Sequence, residues 1–541
     1  MLDEVEPTCE PLGPLNKLIF TPGLLVGHMV SSTDRISVGA KSPLTRGIKE
    51  ANAGGRTGLH MVTLGIKALI IEGWPDAGGL WILHLSGVGA KWERADDPAL
   101  FAGQSLASLG VYDAAKCLLE RYGDKIAAAM IGPGGEMKLA AAGIQNLDKD
   151  RVPARIAARG GLGAVMASKG LKAIVFDNSG GQKPPIADPQ AFKAAQKEFT
   201  TQLMAHPQTA LYRDYGTQAM PHMSDGFGAL PTRNFSSGHF EQVEKISGEY
   251  MRDTLLARGG DSEPTHACMA GCTIRCSNIF GGEDGKAIVS PLEYETVGLM
   301  GSNLGIDSLD TVARMNWQVN DLGLDSIEIG AALGVAAEAG LMVWGDGSRA
   351  MELIDEIRRG TPLGRVLGNG ATLTGKVFGI ERIPAVKGQA MSAYEPRAIK
   401  GTGVTYATTP QGADHTSGLT IRAKVNHLDP KGQAAVSLNA QLNMAGYDTL
   451  GACIFAGFGY AAAPASIPSL IRARYGWDVP ENYLQVLGAE TIKMERQWNR
   501  LAGFTAADDR LPEYMTREPL PPNNAVFDVA DADLDRIFDN L

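Results

Sequence analysis

The chain has 541 residues, 44% of them hydrophobic and 20% charged, with a formal net charge of −10. That length divides into about two to four domains with ample core, and the acidic balance, with no basic run or interleaved aromatic stripe, argues against nucleic-acid binding. Six cysteines are too few for a disulfide scaffold and indicate a reducing, cytoplasmic setting. The acidic start Met1-Leu2-Asp3-Glu4 is not a secretory leader, and no run of about 18 apolar residues offers a membrane span.

In chain order, residues 17–20 and 68–73 are apolar runs bounded by Gly or Pro and read as strands. A helical stretch falls near 100–122. Residues 127–131 read as a strand leading into Gly132-Pro133-Gly134-Gly135, and residues 171–176 as another. Between them, Arg159-Gly160-Gly161-Leu162-Gly163 opens a helix. Such a loop either holds phosphate on its backbone N–H groups or makes a tight strand-to-helix turn. It is neither a Walker loop nor a clear dinucleotide fingerprint. After Asn178-Ser179-Gly180-Gly181 the texture changes: residues 187–215, 305–342 and 349–359 carry helical patterns, and a turn-rich stretch, 383–420, separates two helical regions. The 66 glycines, about 12% against a typical 7%, cluster in short loops of the kind that bring backbone close to a large ligand.

The cysteines carry the strongest chemical signal. Cys268, Cys272 and Cys276 are four apart, and Cys453 lies far downstream. On a straight helix the outer two of the three would stand about 12 Å apart along the axis, so the segment has to wrap as a loop, with Gly271 supplying backbone freedom. Three close thiols and one distant thiol are the usual supply for a cubane iron–sulfur (4Fe-4S) cluster. Structural zinc, which favours two close pairs, and plain buried cysteines are the alternatives. Cys9 and Cys117 stand alone.

Three further constellations stand out. Asn320-Asp321-Leu322-Gly323-Leu324-Asp325 and Asp448-Thr449-Leu450-Gly451-Ala452-Cys453 share a polar first position, Gly at the fourth and a reactive side chain at the sixth. They read either as a pseudo-symmetric cradle whose carboxylates accept paired N–H bonds from a flat heterocycle or as two glycine-capped helix ends. Glu293-Tyr294-Glu295 offers a general base, with exposed strand-end acids as the bland alternative. Asp414-His415 offers a proton shuttle, against a structural histidine.

Taken together and in order, these pieces resemble the tungsten-dependent aldehyde ferredoxin oxidoreductases. The matching segments are Lys41-Ser42-Pro43-Leu44-Thr45, Ala51-Asn52-Ala53-Gly54-Gly55, the run from Ala158 to Lys169, the cysteine loop, Glu293-Tyr294-Glu295-Thr296, Gly323-Leu324-Asp325, Gly412-Ala413-Asp414-His415 and the turn ending in Cys453. The resemblance implies an α+β fold. Residues 1–178 would be a β-rich base for a tungsten (or molybdenum) bis-pyranopterin, 179–382 a helical domain with the cysteine loop, and 383–541 a C-terminal helical domain with the fourth cysteine. It implies that Cys268, Cys272, Cys276 and Cys453 hold the 4Fe-4S cluster. Arg35, Asn52, Gly54, Arg159, Gly160, Gly161 and Gly163 would contact pterin and its phosphates. Asp325 and Asp448, with Asn320, would hold the two pterins, and Glu295 and His415, with Glu293 nearby, would stand near the metal.

The implied activity is oxidation of a small aldehyde to a carboxylic acid, with electrons passing to ferredoxin or a related electron-transfer protein, in a homodimer or a complex with an iron–sulfur subunit. The catalytic subunit of a tungsten-dependent aromatic acyl-CoA (benzoyl-CoA type) ring reductase is the alternative within the superfamily, and a cluster-only electron-transfer or structural protein the alternative outside it. The chain departs from the family pattern in places. Three residues, not two, separate the first cysteines, and Asn320 stands where an acid is common. Glu263-Pro264-Thr265-His266, the only Glu-x-x-His spelling near the cysteines, precedes the loop instead of following it and is not read as a subunit-bridging iron site. Relatives also begin with additional sheet strands.

Overall fold

The computed structural model describes residues 1–541. Strands β1 (Leu18–Pro22), β2 (Ile36–Lys41), β3 (Ile48–Ala53) and β4 (Leu69–Ile71) form an antiparallel sheet in the order β3-β2-β1-β4. A second sheet is built from β5 (Trp81–Ser86), β6 (Gly89–Arg94), β7 (Ala127–Met130), β8 (Ile144–Leu147), β9 (Pro153–Ala157) and β10 (Leu171–Asp177). Its order is β6-β5-β10-β7-β8-β9, and only β5 and β10 run parallel.

Alternation along each strand decides what it covers. Ala127, Ala129, Ile174 and Phe176 point between the sheets, where they share a 23-residue core with Phe20, Val38 and Ala51. Ala128, Met130, Ala173 and Val175 point the other way, onto the helix Val111–Tyr122. On β3 the alternation sends Ala51 and Ala53 into the core and turns Glu50 and Asn52 outward, towards the site. β3 is also a sheet edge, and unpaired edge N–H groups need partners. Ile48 and Glu50 donate theirs to the side chains of Asn499 (2.8 Å) and Gln411 (3.3 Å), so the C-terminal region closes the edge.

From Pro189 onward the chain is mainly helical around an 80-residue core. The helix Ser326–Glu338 is buried from Ile327 to Ala337 and so is apolar on nearly every side. A small sheet of Glu263–His266, Ser277–Gly281 and Ala287–Val289 brackets the cysteine loop. No single helix is long and apolar enough to cross a membrane.

Two local expectations need correction. The helix near 100–122 spans only Val111–Tyr122, because Gly103 sits at φ +91 in the turns before it and Gly110 is its N-cap. The turn-rich stretch 383–420 contains a short hairpin and the helix Lys400–Thr408. Gly401, Gly403 and three threonines disfavour that helix intrinsically, but all nine of its residues are buried and tertiary packing decides.

Candidate active site at the junction of sheet and helices

A cavity of about 370 Å³ opens where the outward face of β3 meets the helical region. At one end stand the thiols. Residues 267–276 form no helix; Gly271 (φ +73) and Arg275 (φ +59) turn the backbone into a loop. The loop is tied to the base domain through Ser31, whose hydroxyl meets Thr273 Oγ1 at 2.7 Å and accepts from the Thr273 N–H at 3.2 Å. Cys268, Cys276 and Cys453 line the cavity, and Cys272 Sγ lies 3.4 Å from Ser32 Oγ. The Cys453 N–H donates to Ser32 O at 2.8 Å. None of the cysteines is in a disulfide.

Both repeated turns are helix ends as well as cavity walls. Gly323 (φ +69) caps the helix Leu309–Leu322 and Gly451 (φ +76) caps Gln433–Leu450. Each is pressed against a glycine of the base domain. A Cβ on Gly132 would stand 2.4 Å from Leu322 O, and one on Gly23 would stand 2.0 Å from Gly451 N. Backbone bonds stitch both seams: Gly143 N to Gly323 O at 2.9 Å and Asp325 N to Ala141 O at 2.9 Å on one side, Leu25 N to Leu450 O at 3.0 Å and Arg35 N to Gly451 O at 3.2 Å on the other. Asp325 and Asp448 thereby reach the cavity. Asn320 also lines it, whereas the neighbouring Asp321 pairs with Arg358 at 2.9 Å.

Glu295 lies in the first turn of the helix Tyr294–Met300. Its Oε2 accepts from the Ala393 N–H at 2.7 Å, and Oε1 is 3.4 Å from His415 Nε2. Burial pushes the Glu295 carboxyl above its usual range, although nearby His415 favours the charged form. The other ring nitrogen, His415 Nδ1, meets Ser392 Oγ at 2.8 Å, which fixes the ring. Asp414 Oδ1 accepts from Thr416 N and Oγ1 at 3.0 and 2.8 Å, and Oδ2 from Lys49 Nζ at 2.8 Å. Burial opposes ionisation there, but Lys49 and Arg159 hold the Asp414 carboxyl well below the usual range. Glu293, on the cysteine side, accepts from the Thr217 hydroxyl, and burial raises it.

The remaining residues singled out in the sequence separate into two groups. Arg35, Asn52 and Gly54 line the cavity, with Arg35 bonded to the Asn52 side chain and a Cβ on Gly54 falling 3.4 Å from Cys268 Sγ. Arg159 lines it too, but its guanidinium is committed to protein acceptors: Asp325 at 3.2 Å, Ala413 O at 2.8 Å and Ala390 O at 2.5 Å. Gly160, Gly161 and Gly163 are not among the lining residues. A side chain on them would meet Lys49 Cγ at 2.4 Å, Pro43 Cγ at 2.6 Å and Gly143 O at 2.3 Å. Close packing disfavours a side chain at all three positions. Sequence reading passed over Lys49 and Glu50 on β3 and Ser392 and Tyr394 in the irregular stretch. Of the groups around His415, Glu295 and Asp414 had signals in the sequence, whereas Ser392 and Tyr394 had none.

The residues present suit a large heterocyclic metal cofactor beside a cluster. Cys268, Cys276 and Cys453 line one end of the cavity and Cys272 lies beside Cys268, a thiol set that suits a cubane. The lining also holds carboxyl oxygens that lack donors: Glu50 Oε1 is buried without a partner although Ser37 and Lys49 ease the group's charge, and burial, with the Glu50 charge next in weight, pushes the Asp448 carboxyl well up. Buried acceptors of that kind call for N–H donors.

This architecture and site define a family of oxidoreductases. Family models described as aldehyde ferredoxin oxidoreductase, N-terminal domain, and aldehyde ferredoxin oxidoreductase, domains 2 and 3, match residues 1–178 and 194–540. The chain belongs to the aldehyde ferredoxin oxidoreductase family. It is 31% identical to the tungsten-containing aldehyde ferredoxin oxidoreductase of Thermococcus kodakarensis over 96% of this chain and 86% of that protein. It is 26% identical to the aliphatic sulfonate oxidoreductase, WOR-like subunit, of Pyrococcus furiosus, over 95% of this chain and 82% of the relative. The fold also matches the active-site complex BamBC of benzoyl coenzyme A reductase, with a TM-score of 0.76 at 18% identity, over 96% of this chain and 86% of that one.

Proposed function

We propose that the chain oxidises an aldehyde with water to a carboxylic acid on a tungsten (or molybdenum) bis-pterin, and passes the electrons through a 4Fe-4S cluster to ferredoxin or a related electron-transfer protein. The balance is RCHO + H2O → RCOOH + 2 H⁺ + 2 e⁻. When bound, the cofactor supplies a Lewis acid for the carbonyl oxygen and a two-electron sink. Cys268, Cys272, Cys276 and Cys453 would hold the cluster. Asp325, Asp448 and Asn52 would orient the pterins, and Gly54 leaves room for the backbone to approach.

The protein's own chemistry falls to Glu295 and His415. Glu295 Oε1 removes a proton from water as the water oxygen bonds to the carbonyl carbon. Its Oε2 stays anchored on the Ala393 N–H, so the free oxygen has a fixed aim. His415 Nε2, 3.4 Å away, relays the proton and frees the carboxylate for the next cycle. Ser392 on Nδ1 keeps the imidazole in place.

The observation that carries this reading is the Glu295–His415 pair sharing one cavity with the thiols. An uncharged aldehyde is favoured over a sulfonate because Arg159, the guanidinium near Asp414 and His415, is already bonded to Asp325 and to carbonyls. The test is elemental analysis of anaerobically purified protein together with an aldehyde panel assayed with a viologen dye. Iron, tungsten and aldehyde-dependent dye reduction support the reading. Iron without tungsten, molybdenum or pterin would point to a cluster-only protein, and co-purification with a large electron-input complex to a ring reductase. A Glu295→Gln enzyme with full metal and full turnover would remove Glu295 as the base.

A further inference from the structure

The two cradle turns look alike, but the acids around them do not. On one side Asp325 has its bonds made: Oδ2 accepts from Arg159 and Oδ1 from the Ile327 N–H at 3.0 Å. Its turn opens with the uncharged Asn320. On the side of Cys453, no protein group donates to the Asp448 carboxyl. A second acid lining the same cavity and close enough to raise it is Glu50, whose Oε1 is enclosed without a partner. Strand alternation puts Glu50 on the same face of β3 as Asn52, and both line the cavity. The one cation near both acids, Arg35, is bonded to Asn52. Ser37 and Lys49 ease the charge on Glu50 but leave Oε1 without a donor, and Lys49 is itself bonded to Asp414, so two acids on one cavity lining are unfavourable unless a ligand supplies donors.

We infer that Glu50 is a cofactor-binding residue, pairing with Asp448 to grip the N–H-rich edge of the pterin on the Cys453 side. The chemistry matches: an aminopyrimidine edge offers several N–H donors and no net charge, and carboxylates accept such donors in pairs. Burial raises both acids, and the Glu50 and Asp414 charges raise Asp448 further, so donated hydrogen bonds relieve the strain of holding these acids in one cavity. The pterin next to the cluster is then held by two acids, and the distal one by a single acid already neutralised by Arg159. This assignment rests on the bis-pterin reading of the site.

The test uses the anaerobically purified holoenzyme and its Glu50→Gln and Asp448→Asn variants. Pterin is measured as its fluorescent oxidation product, and tungsten and iron by elemental analysis, before and after prolonged dialysis. Glu50→Gln is expected to retain wild-type iron and circular dichroism, which shows that it folds, while losing pterin and tungsten at least ten-fold faster, with Asp448→Asn behaving alike. Unchanged pterin retention in a folded Glu50→Gln protein overturns the assignment. So does loss from that variant of a divalent cation with pterin intact, which would make the acid pair a cation site. Wild-type protein with no pterin would instead sink the reading of the site itself.

Discussion

Lys49→Met is the most searching perturbation of this architecture. The Lys49 and Asp414 side chains are 1% and 3% exposed and meet at 2.8 Å across the junction of base and C-terminal region. Removing one member of a buried pair costs about 3–5 kcal/mol because the other charge is left without its partner. Arg159 Nη1 stays 4.0 Å from Asp414 Oδ1, which puts the loss near the lower end, about 3 kcal/mol. At about 2–4 °C per kcal/mol for a large domain, the melting midpoint should fall by about 6–12 °C in calorimetry at matched metal content. The pH dependence has a definite sign. The wild-type Asp414 carboxyl is depressed, so its contribution is complete above an unfolded value of about 4 and is lost only as pH falls through the depressed value. In Lys49→Met that depression is relieved, so the deficit is largest at neutral pH and narrows on acidification. Asp414→Asn in the same background should recover part of the loss. A drop under about 1 °C in Lys49→Met, or a double variant whose loss equals the sum of the singles, refutes the buried-pair account.

Other consequences are equally measurable. The base proposed at Glu295 works only when ionised and its carboxyl is raised by burial, so kcat/KM should climb with pH along an acidic limb above the usual carboxylate range; Glu295→Gln should abolish that limb and lower kcat about 10²–10⁴-fold. Cys453→Ser should lower iron content and alter the low-temperature paramagnetic resonance of the reduced protein while Cys117→Ser leaves both unchanged. Gly23→Ala drives a Cβ to 2.0 Å from Gly451 N; backbone cannot yield as a side chain does, so overpacking of about 1–3 kcal/mol is expected, with faster loss of metal on heating.

Much of the site was legible because its chemistry needs residue types that stand out. Three thiols four apart around Gly271 specify a loop, and a loop is what forms. Glycine at the fourth position of each repeated turn marks a left-handed cap, and both glycines adopt one. The less legible parts depend on the far side of an element. Lys49 and Glu50 read as the polar residues of an alternating strand. Nothing local says that β3 is an edge met by Gln411 and Asn499, or that Lys49 finds an acid 365 positions away. Arg159 stood out as special, but its acceptors come from Asp325 and from the carbonyls of Ala390 and Ala413, which only the assembled fold brings together. Lys400–Thr408 was missed because local propensity opposes a helix that burial enforces.

The seam at Gly451 has a bearing on biogenesis. One hexapeptide carries both Asp448 and Cys453, and it docks on the loop at Gly23 near the opposite end of the polypeptide. A nascent chain emerging from the ribosome would present three thiols long before the fourth, with nowhere to seat a finished cubane. If those four thiols hold a cubane, as proposed, its assembly waits until the turn after the helix Gln433–Leu450 has been translated, and that turn is the clasp that shuts the vessel.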